Sequence, residues 1–374
     1  MLLALMLVAA TLARAQDTSV DTSDQGSPTP PLSAPAPPLS VRVRTDTAEI
    51  WTPFGFAPVD QAGAGRRGYV LAAESAEVSE TGKHQFSIHA VAANNFYHEE
   101  TRDFLITQRF ETHTVALDYR RGFKLSRGPR FELGGQLQLH ETDRGVLNGF
   151  IAGVENFWVS LTGYEASKNL LRTGNTTPQG TVITRNGSVI YREAGTRSGF
   201  GDVFLTAKAA LLDHDPASRK PQISARFGVN LAGRSPFTAG NFAGAGLSLD
   251  TKVSDRIAFH LDGRVTRILD GVSIWSLPVK GATYGFSIGP EFPLPKHSSL
   301  TLQIDGSSSP YLPTSTLAFD RGYGDLTAAV GHRYRSGGRN LVAQLYIREN
   351  MNLPFRVRWN TDPDMSLGLK VSVR

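Results

Sequence analysis

Along much of the chain, apolar and polar residues alternate one for one. From Gln222 the sequence reads QISARFGVNL, with Ile223, Ala225, Phe227, Val229 and Leu231 on one side and Gln222, Ser224, Arg226 and Asn230 on the other. A period of two puts successive side chains on opposite faces of a β-strand, so this is a strand with one dry face and one wet face. The segment RIAFHLDGRV at 256–265 repeats the pattern: Ile257, Phe259, Leu261 and Val265 alternate with His260, Asp262 and Arg264. Similar alternation runs through 84–92, 113–121, 130–139, 202–211, 243–253, 282–292, 299–305, 325–334, 340–348 and 365–373, with shorter candidates at 104–110 and 188–193. Roughly 12 to 14 strands of about ten residues are predicted, the length a tilted strand needs to cross an outer membrane.

Alternation alone fits a soluble sandwich as well as a membrane barrel. Connection lengths separate the two, because outer-membrane barrels pair short periplasmic turns with longer external loops. Counting back from the C-terminus, the gaps at 349–364, 306–324 and 268–281 are long, while those at 335–339 and 293–298 are short and Ser254-Asp255 is very short. Long and short alternate through all of them. Tyr119, Phe123, Phe131, Phe242, Phe292 and Tyr334 fall near strand ends, as an interfacial aromatic girdle requires. The expected fold class is all-β: a transmembrane antiparallel β-barrel of about 12–14 strands in the bacterial outer membrane, with the loops at 306–324 and 349–364 facing outward.

Two regions depart from the strand period. Between strands, Val146, Leu147, Phe150, Ile151, Val154, Phe157 and Trp158 recur at helical spacing, which predicts one amphipathic helix over Arg144 to Ser160. Such a helix would plug the lumen, lie among the headgroups or cap one mouth. The polar, Gly-rich stretch at 168–187 is expected to be a mobile loop. At the N-terminus, MLLALMLVAATLARA ends in a small-x-small pattern and reads as a signal peptide over 1–15. The Pro-rich residues 16–40 read as a disordered spacer. Residues 41–77 form an N-terminal extension, expected in the periplasm or partly in the lumen, and 78–374 form the barrel.

Composition narrows the chemistry. The absence of cysteine excludes a disulfide scaffold, a thiolate metal site, a thiol nucleophile and an acylated lipoprotein anchor. A mean hydropathy of -0.20, with no run of about 18 apolar residues beyond the N-terminus, leaves no membrane-spanning helix. The net charge of +5 becomes +7 once residues 1–40, which carry -2, are set aside. That excess suits anionic headgroups or solutes, or serves solubility alone.

The polar strand faces must then point inward, because a Lys or Arg facing lipid at mid-membrane costs about 2 to 4 kcal/mol. Lys208, Arg226, Asp250, Lys252, His260, Asp262, Arg264, Asp305, Arg333 and Lys370 are the candidates for lining the lumen. They form either a mutually neutralising network that fills a narrow barrel, or a wet path whose basic excess favours anionic or amphiphilic solutes.

Catalytic motifs occur out of context. Gly285-Phe286-Ser287-Ile288-Gly289 matches G-x-S-x-G, but Ser287 sits within an alternating strand rather than at a strand-to-helix turn. The G-x-G-x-x-G match at 63–68 lacks a βαβ unit. His260 and Asp262 share a strand face and form a candidate acid–base pair. Asp213-His214-Asp215 offers too few oxygens for Ca²⁺ without a structured loop. No cofactor or metal is expected, and no basic stripe with interleaved aromatics points to nucleic acid.

AANNF at 92–96, TVALDYRRG at 114–122, GVLNGFIAGVENFW at 145–158, SGFGDVFLTAKAALL at 198–212 and DMSLGLKVSV near the end resemble a family of bacterial outer-membrane proteins known as a domain of unknown function. Gly199, Gly201 and Asp202, followed by a lipid-facing strand, also resemble the barrel family linked to phenol degradation, which implies passage of hydrophobic compounds. Neither resemblance supplies a catalytic residue. Outer-membrane barrels usually end in an aromatic residue, whereas this chain ends in Val373-Arg374. The function expected is a passive channel or transporter-like protein for small or amphiphilic solutes. The alternatives are a non-conducting structural or adhesive barrel, and a membrane hydrolase using Ser287 or His260. The expected partners are outer-membrane lipid, including lipopolysaccharide, and the outer-membrane insertion machinery.

Overall fold

The computed structural model describes residues 51–57, 71–100, 102–126, 128–143, 180–193, 196–231, 240–270, 279–309, 323–336, 339–350 and 365–374. Within these lie fourteen strands: β1 (His84–Glu100), β2 (Phe104–Lys124), β3 (Arg130–Asp143), β4 (Gly180–Arg185), β5 (Ser188–Glu193), β6 (Arg197–Leu212) and β7 (Gln222–Leu231), followed by β8 (Phe242–Ser254), β9 (Ile257–Ile268), β10 (Ala282–Leu294), β11 (Ser298–Ser307), β12 (Tyr323–Ser336), β13 (Arg339–Asn350) and β14 (Met365–Val373). The pairing β1–β14–β13 continues without interruption to β6–β3–β2, and β2 pairs again with β1. Setting aside the β4–β5 hairpin, which joins the far end of β2, the sheet closes into a twelve-stranded antiparallel barrel. The segments 104–110 and 113–121 belong to one strand, β2.

Parity decides what each side chain meets. Leu261 is 42% exposed on the outer surface while its neighbour Asp262 is 3% exposed inside. The same contrast separates Phe286 from Ser287 and Ile304 from Asp305. Among the described residues the apolar face covers no second sheet; it forms a belt around the barrel. Tyr119 and Tyr334 lie on the outer surface near the short turns, and Phe123 stacks on Phe131 across the β2–β3 pair at 5.2 Å. Phe242 departs from the girdle reading: it shares the inward parity of Asp250 and is buried in a cluster with Leu71 and Phe204. A register shift between β3 and β6 reverses parity, so that Phe200 and Val203 both face outward and Asp202 turns in.

The loop expected over 168–187 is corrected at its end. Residues 180–185 form β4, and Asn186-Gly187 turns the chain into β5 with φ of 50° and 75°. An Asn-Gly pair supplies the two left-handed residues of a tight hairpin. The helix expected over Arg144 to Ser160 lies outside the described residues, as do the signal peptide, the spacer and the glycine motif at 63–68.

Leu261→Arg is expected to cost about 2–4 kcal/mol, read from urea titration of the barrel folded into lipid vesicles, because it puts a charge at mid-belt. Arg267, on the same face near the strand end, is expected to give up its charge at a change of less than about 1 kcal/mol.

Candidate functional site

Inside the barrel lies a part of the chain with no strand period. Residues 51–57 and 71–79 are two extended legs whose backbone groups bond to inward-facing side chains of the wall. The first leg starts near the short-turn end, where Trp51 O accepts a hydrogen bond from Lys252 Nζ at 3.3 Å and the ammonium lies 5.6 Å from the indole centroid. It runs inward to Ala57, which packs with Val91, Ala93, Ala329 and Tyr346. The second leg runs back from Leu71 to Ser79 and leads into β1. Leu71 sits in a dent on β8 that requires glycine at 244, where a Cβ would meet its side chain at 2.8 Å.

One cluster holds both legs. Glu291 accepts the Phe54 N–H at 2.9 and 3.0 Å and the Gly55 N–H at 3.0 Å. Asp250 accepts the Ser75 hydroxyl at 2.5 Å and the Ala76 N–H at 2.7 Å. His260 stands between the two carboxylates, with Nδ1 2.7 Å from Asp250 and Nε2 3.0 Å from Glu291. The three side chains come from the adjacent strands β8, β9 and β10, so the sheet register brings them together. Phe56 covers the imidazole at a centroid distance of 5.6 Å.

Nearer the short turns, the second leg is held by ion pairs. Glu74 meets Arg120 at 3.0 Å and Lys208 at 3.4 Å. Lys208 also donates to Ser75 O at 2.5 Å, and Glu132 accepts the Ser79 N–H at 3.0 Å. Arg374 Nη1 reaches Glu77 at 2.5 Å. Burial opposes ionisation of Glu74, but Arg120, Lys208 and Arg226 outweigh it and hold the carboxyl well below the usual range.

The structure divides the ten candidates for lining the lumen. Asp250, Lys252, His260, Arg333 and Lys208 touch the legs; Arg333 lies 4.9 Å from the ring centroid of Phe54. Arg226, Asp262, Arg264 and Asp305 form a band along the wall. In it, Asp262 bonds Arg226 at 3.0 Å and Arg264 at 2.8 Å, and Arg264 reaches Ser287, which donates to Asp305. An ion pair between Arg348 and Asp325 lies further round the wall. His260 and Asp262 are not partners: His260 belongs to the clasp and Asp262 to the band. Ser287 is buried between Arg264 and Asp305, and among the described residues no imidazole bonds to it, as a nucleophile's base would. Asp215 caps a turn through the Ala217 N–H, and Asp213 pairs with Arg130.

The tenth candidate, Lys370, faces a cavity of about 220 Å³ beside the second leg. Its barrel wall comes mainly from β1, β2, β3 and β6 and is largely neutral. Gln138 donates to Gln136 at 3.0 Å, His140 Nε2 lies 3.2 Å from Gln138 Oε1, and His140 Nδ1 lies 2.9 Å from Thr114 Oγ1. This ladder runs up the wall. A search for charges passes over it, yet Gln136, Gln138, His140 and Thr142 alternate with Leu137, Leu139 and Glu141, so the period of two already marks one polar face.

Comparison with protein-family models and with curated proteins gives no match. Among solved structures, an outer-membrane channel from Pseudomonas putida F1 is similar at a TM-score of 0.52 and 12% identity, over 81% of this chain and 100% of that one. Looser likenesses are the NanC porin, with TM-score 0.41, 7% identity and coverage of 77% and 99%, and a FadL homologue from Pseudomonas aeruginosa, with 0.38, 9%, 86% and 98%. The shared fold, the even strand number and the apolar belt are those of a bacterial outer-membrane barrel.

Glu291→Ala removes the acceptor for two backbone N–H groups. Hydrogen bonds to a charged group are worth about 1.5–3 kcal/mol, so chymotrypsin is expected to cut at Phe54 and Phe56 about tenfold faster than in the unaltered protein. Because the pKa of Glu74 is depressed, its stabilising contribution is complete above the ordinary carboxylate value and fades only as pH falls through the lowered one. Protection of the 71–79 leg from a Glu-specific protease is therefore expected to be constant from about pH 7 to about pH 5.

Proposed function

We propose that the protein is an outer-membrane channel whose lumen is divided lengthwise, one side filled by the N-terminal legs and the other left as the solute path. The observation that carries this reading is the cavity between the second leg and the inner face of β1, β2, β3 and β6. Twelve strands lie between the roughly eight that side chains can fill and the roughly sixteen that leave an aqueous channel, so a packed segment beside an open remnant fits a narrow path. The ionic band and the Asp250–His260–Glu291 clasp stiffen the filled side and leave the other side to polar groups that exchange hydrogen bonds with water.

In this reading the apolar belt contacts outer-membrane lipid, with lipopolysaccharide on the outer leaflet, and the chain reaches the membrane through the outer-membrane insertion machinery. The resemblance to the phenol-degradation barrels implies hydrophobic cargo; the channel reading itself requires only a small solute. The dense ion pairing of the wall favours a second reading, a sealed structural barrel.

Conductance in planar bilayers separates the two. The full protein is expected to give small, steady openings, and a variant lacking residues 51–79 larger and noisier ones, because removing the legs widens the path. A barrel that is folded by heat-modifiable gel mobility yet silent in both forms would establish the sealed reading.

A further inference from the structure

The chemistry of the cavity wall indicates which solutes the path accepts. We infer that the cavity takes small uncharged polyhydroxylated molecules, of the size and chemistry of a monosaccharide, an inference that rests on the channel reading above. Three classes compete: ions, hydrophobic molecules and neutral hydrogen-bonding solutes.

Ions meet mixed charge, four cations against five carboxylates. The cations at the cavity are Arg120, Lys208, Lys370 and Arg374. Against them stand Glu74, Glu77, Asp118, Glu132 and Asp202. Most of these charges are already joined: Arg120 to Glu74, Asp118 and Glu132, Lys208 to Glu74, and Arg374 to Glu77, while Asp202 accepts from Asn230 at 2.6 Å. The basic excess of the whole chain is thus not carried to this wall. An entering cation would give up hydration to meet carboxylates that are already bonded, and an anion would meet a single cation outside these pairs, Lys370.

Hydrophobic molecules meet the wrong surface. Gln85, Ser87, Thr112, Gln136, Gln138 and Gln344 present amides and hydroxyls to the cavity, and His89 and His140 add imidazoles. A hydrocarbon body would displace the water that bonds these groups and offer nothing in return, at about 1–3 kcal/mol for each group left unsatisfied. A hydroxylated solute replaces those bonds one for one. Each glutamine carries two N–H donors and an acceptor oxygen with two lone pairs, more than the Gln136–Gln138–His140 ladder engages. Phe54 and Phe56 of the first leg and Phe204 and Phe242 of the wall also line the cavity, with Phe204 beside Gln136 in the β3–β6 register. Amides and rings around one cavity match a sugar, which has hydroxyls at its edge and C–H groups on its face.

Proteoliposome swelling tests this with three solutes on one skeleton: glucose, sodium gluconate and glucosamine hydrochloride. Glucose is expected to enter at least about threefold faster than either charged analogue, as loss of one net hydrogen bond or its equivalent in desolvation would give. Replacing both wall amides, Gln136→Leu with Gln138→Leu, keeps side-chain size and is expected to slow glucose about tenfold. Ion conductance of the same variant, folded by gel mobility, is expected to change less than about twofold. Gluconate or glucosamine entering as fast as glucose would overturn the solute class and leave the channel standing. A glucose rate indifferent to the double substitution would overturn the role of this wall. A folded protein that passes none of the three solutes and no ions would overturn the channel reading itself.

Discussion

Hydrocarbon offers no hydrogen-bond partner, so every backbone N–H and C=O that crosses the membrane must be paired within the protein. A sheet meets that demand only by closing, and here β1 completes it by pairing with both β14 and β2. Closure then fixes everything else about the barrel side chains. Each strand has an outside that must be apolar and an inside that is enclosed, and a shift by one residue would exchange the two. The bulge between β3 and β6 marks how tightly this is enforced: where the register slips, the outward positions move from Phe200 to Val203 and remain apolar.

Enclosing the polar faces creates a second problem. Charges removed from bulk water must be paired, and the barrel solves this with neighbours across strands and with the backbone of its own N-terminal region. Asp262 takes Arg226 and Arg264, two and zero strands away, while Asp250 and Glu291 take backbone N–H groups of residues 54, 55 and 76. A carboxylate that holds a backbone donor is specific about position, because the donor cannot rotate away as a long side chain can. The legs are therefore part of the wall chemistry, and the clasp on His260 links one leg to the other through adjacent strands.

The division of the interior follows from where each kind of polar residue sits. From β7 to β13 the inner face is rich in full charges, which interlock and draw in the legs. From β1 to β3 the charges Arg120 and Glu132 hold the second leg near the short turns, and beyond them the face is dominated by amides, hydroxyls and imidazoles that satisfy one another along a strand. The cavity opens beside the neutral part of that face, next to the Gln136–Gln138–His140 ladder.

Much of this barrel is legible before any coordinate. The alternation in Ile223–Leu231 and in Ile257–Val265 identifies the strands, and it sends Arg226 and Asp262 inward because lipid would charge so heavily for them. Parity also places Phe242 inside with Asp250, although proximity to a strand end suggests a girdle; the period of two is the stronger rule. Asn186-Gly187 carries a turn in its residue types alone. What the sequence determined by itself is thus the face of each barrel residue, since that depends on local period and on the solvent each face meets. Only the tertiary structure decided which inward groups meet. His260 finds Asp250 and Glu291, and the aperiodic legs at 51–57 and 71–79 find their partners, through barrel register and closure, which join residues up to 297 positions apart and leave no mark in any local pattern.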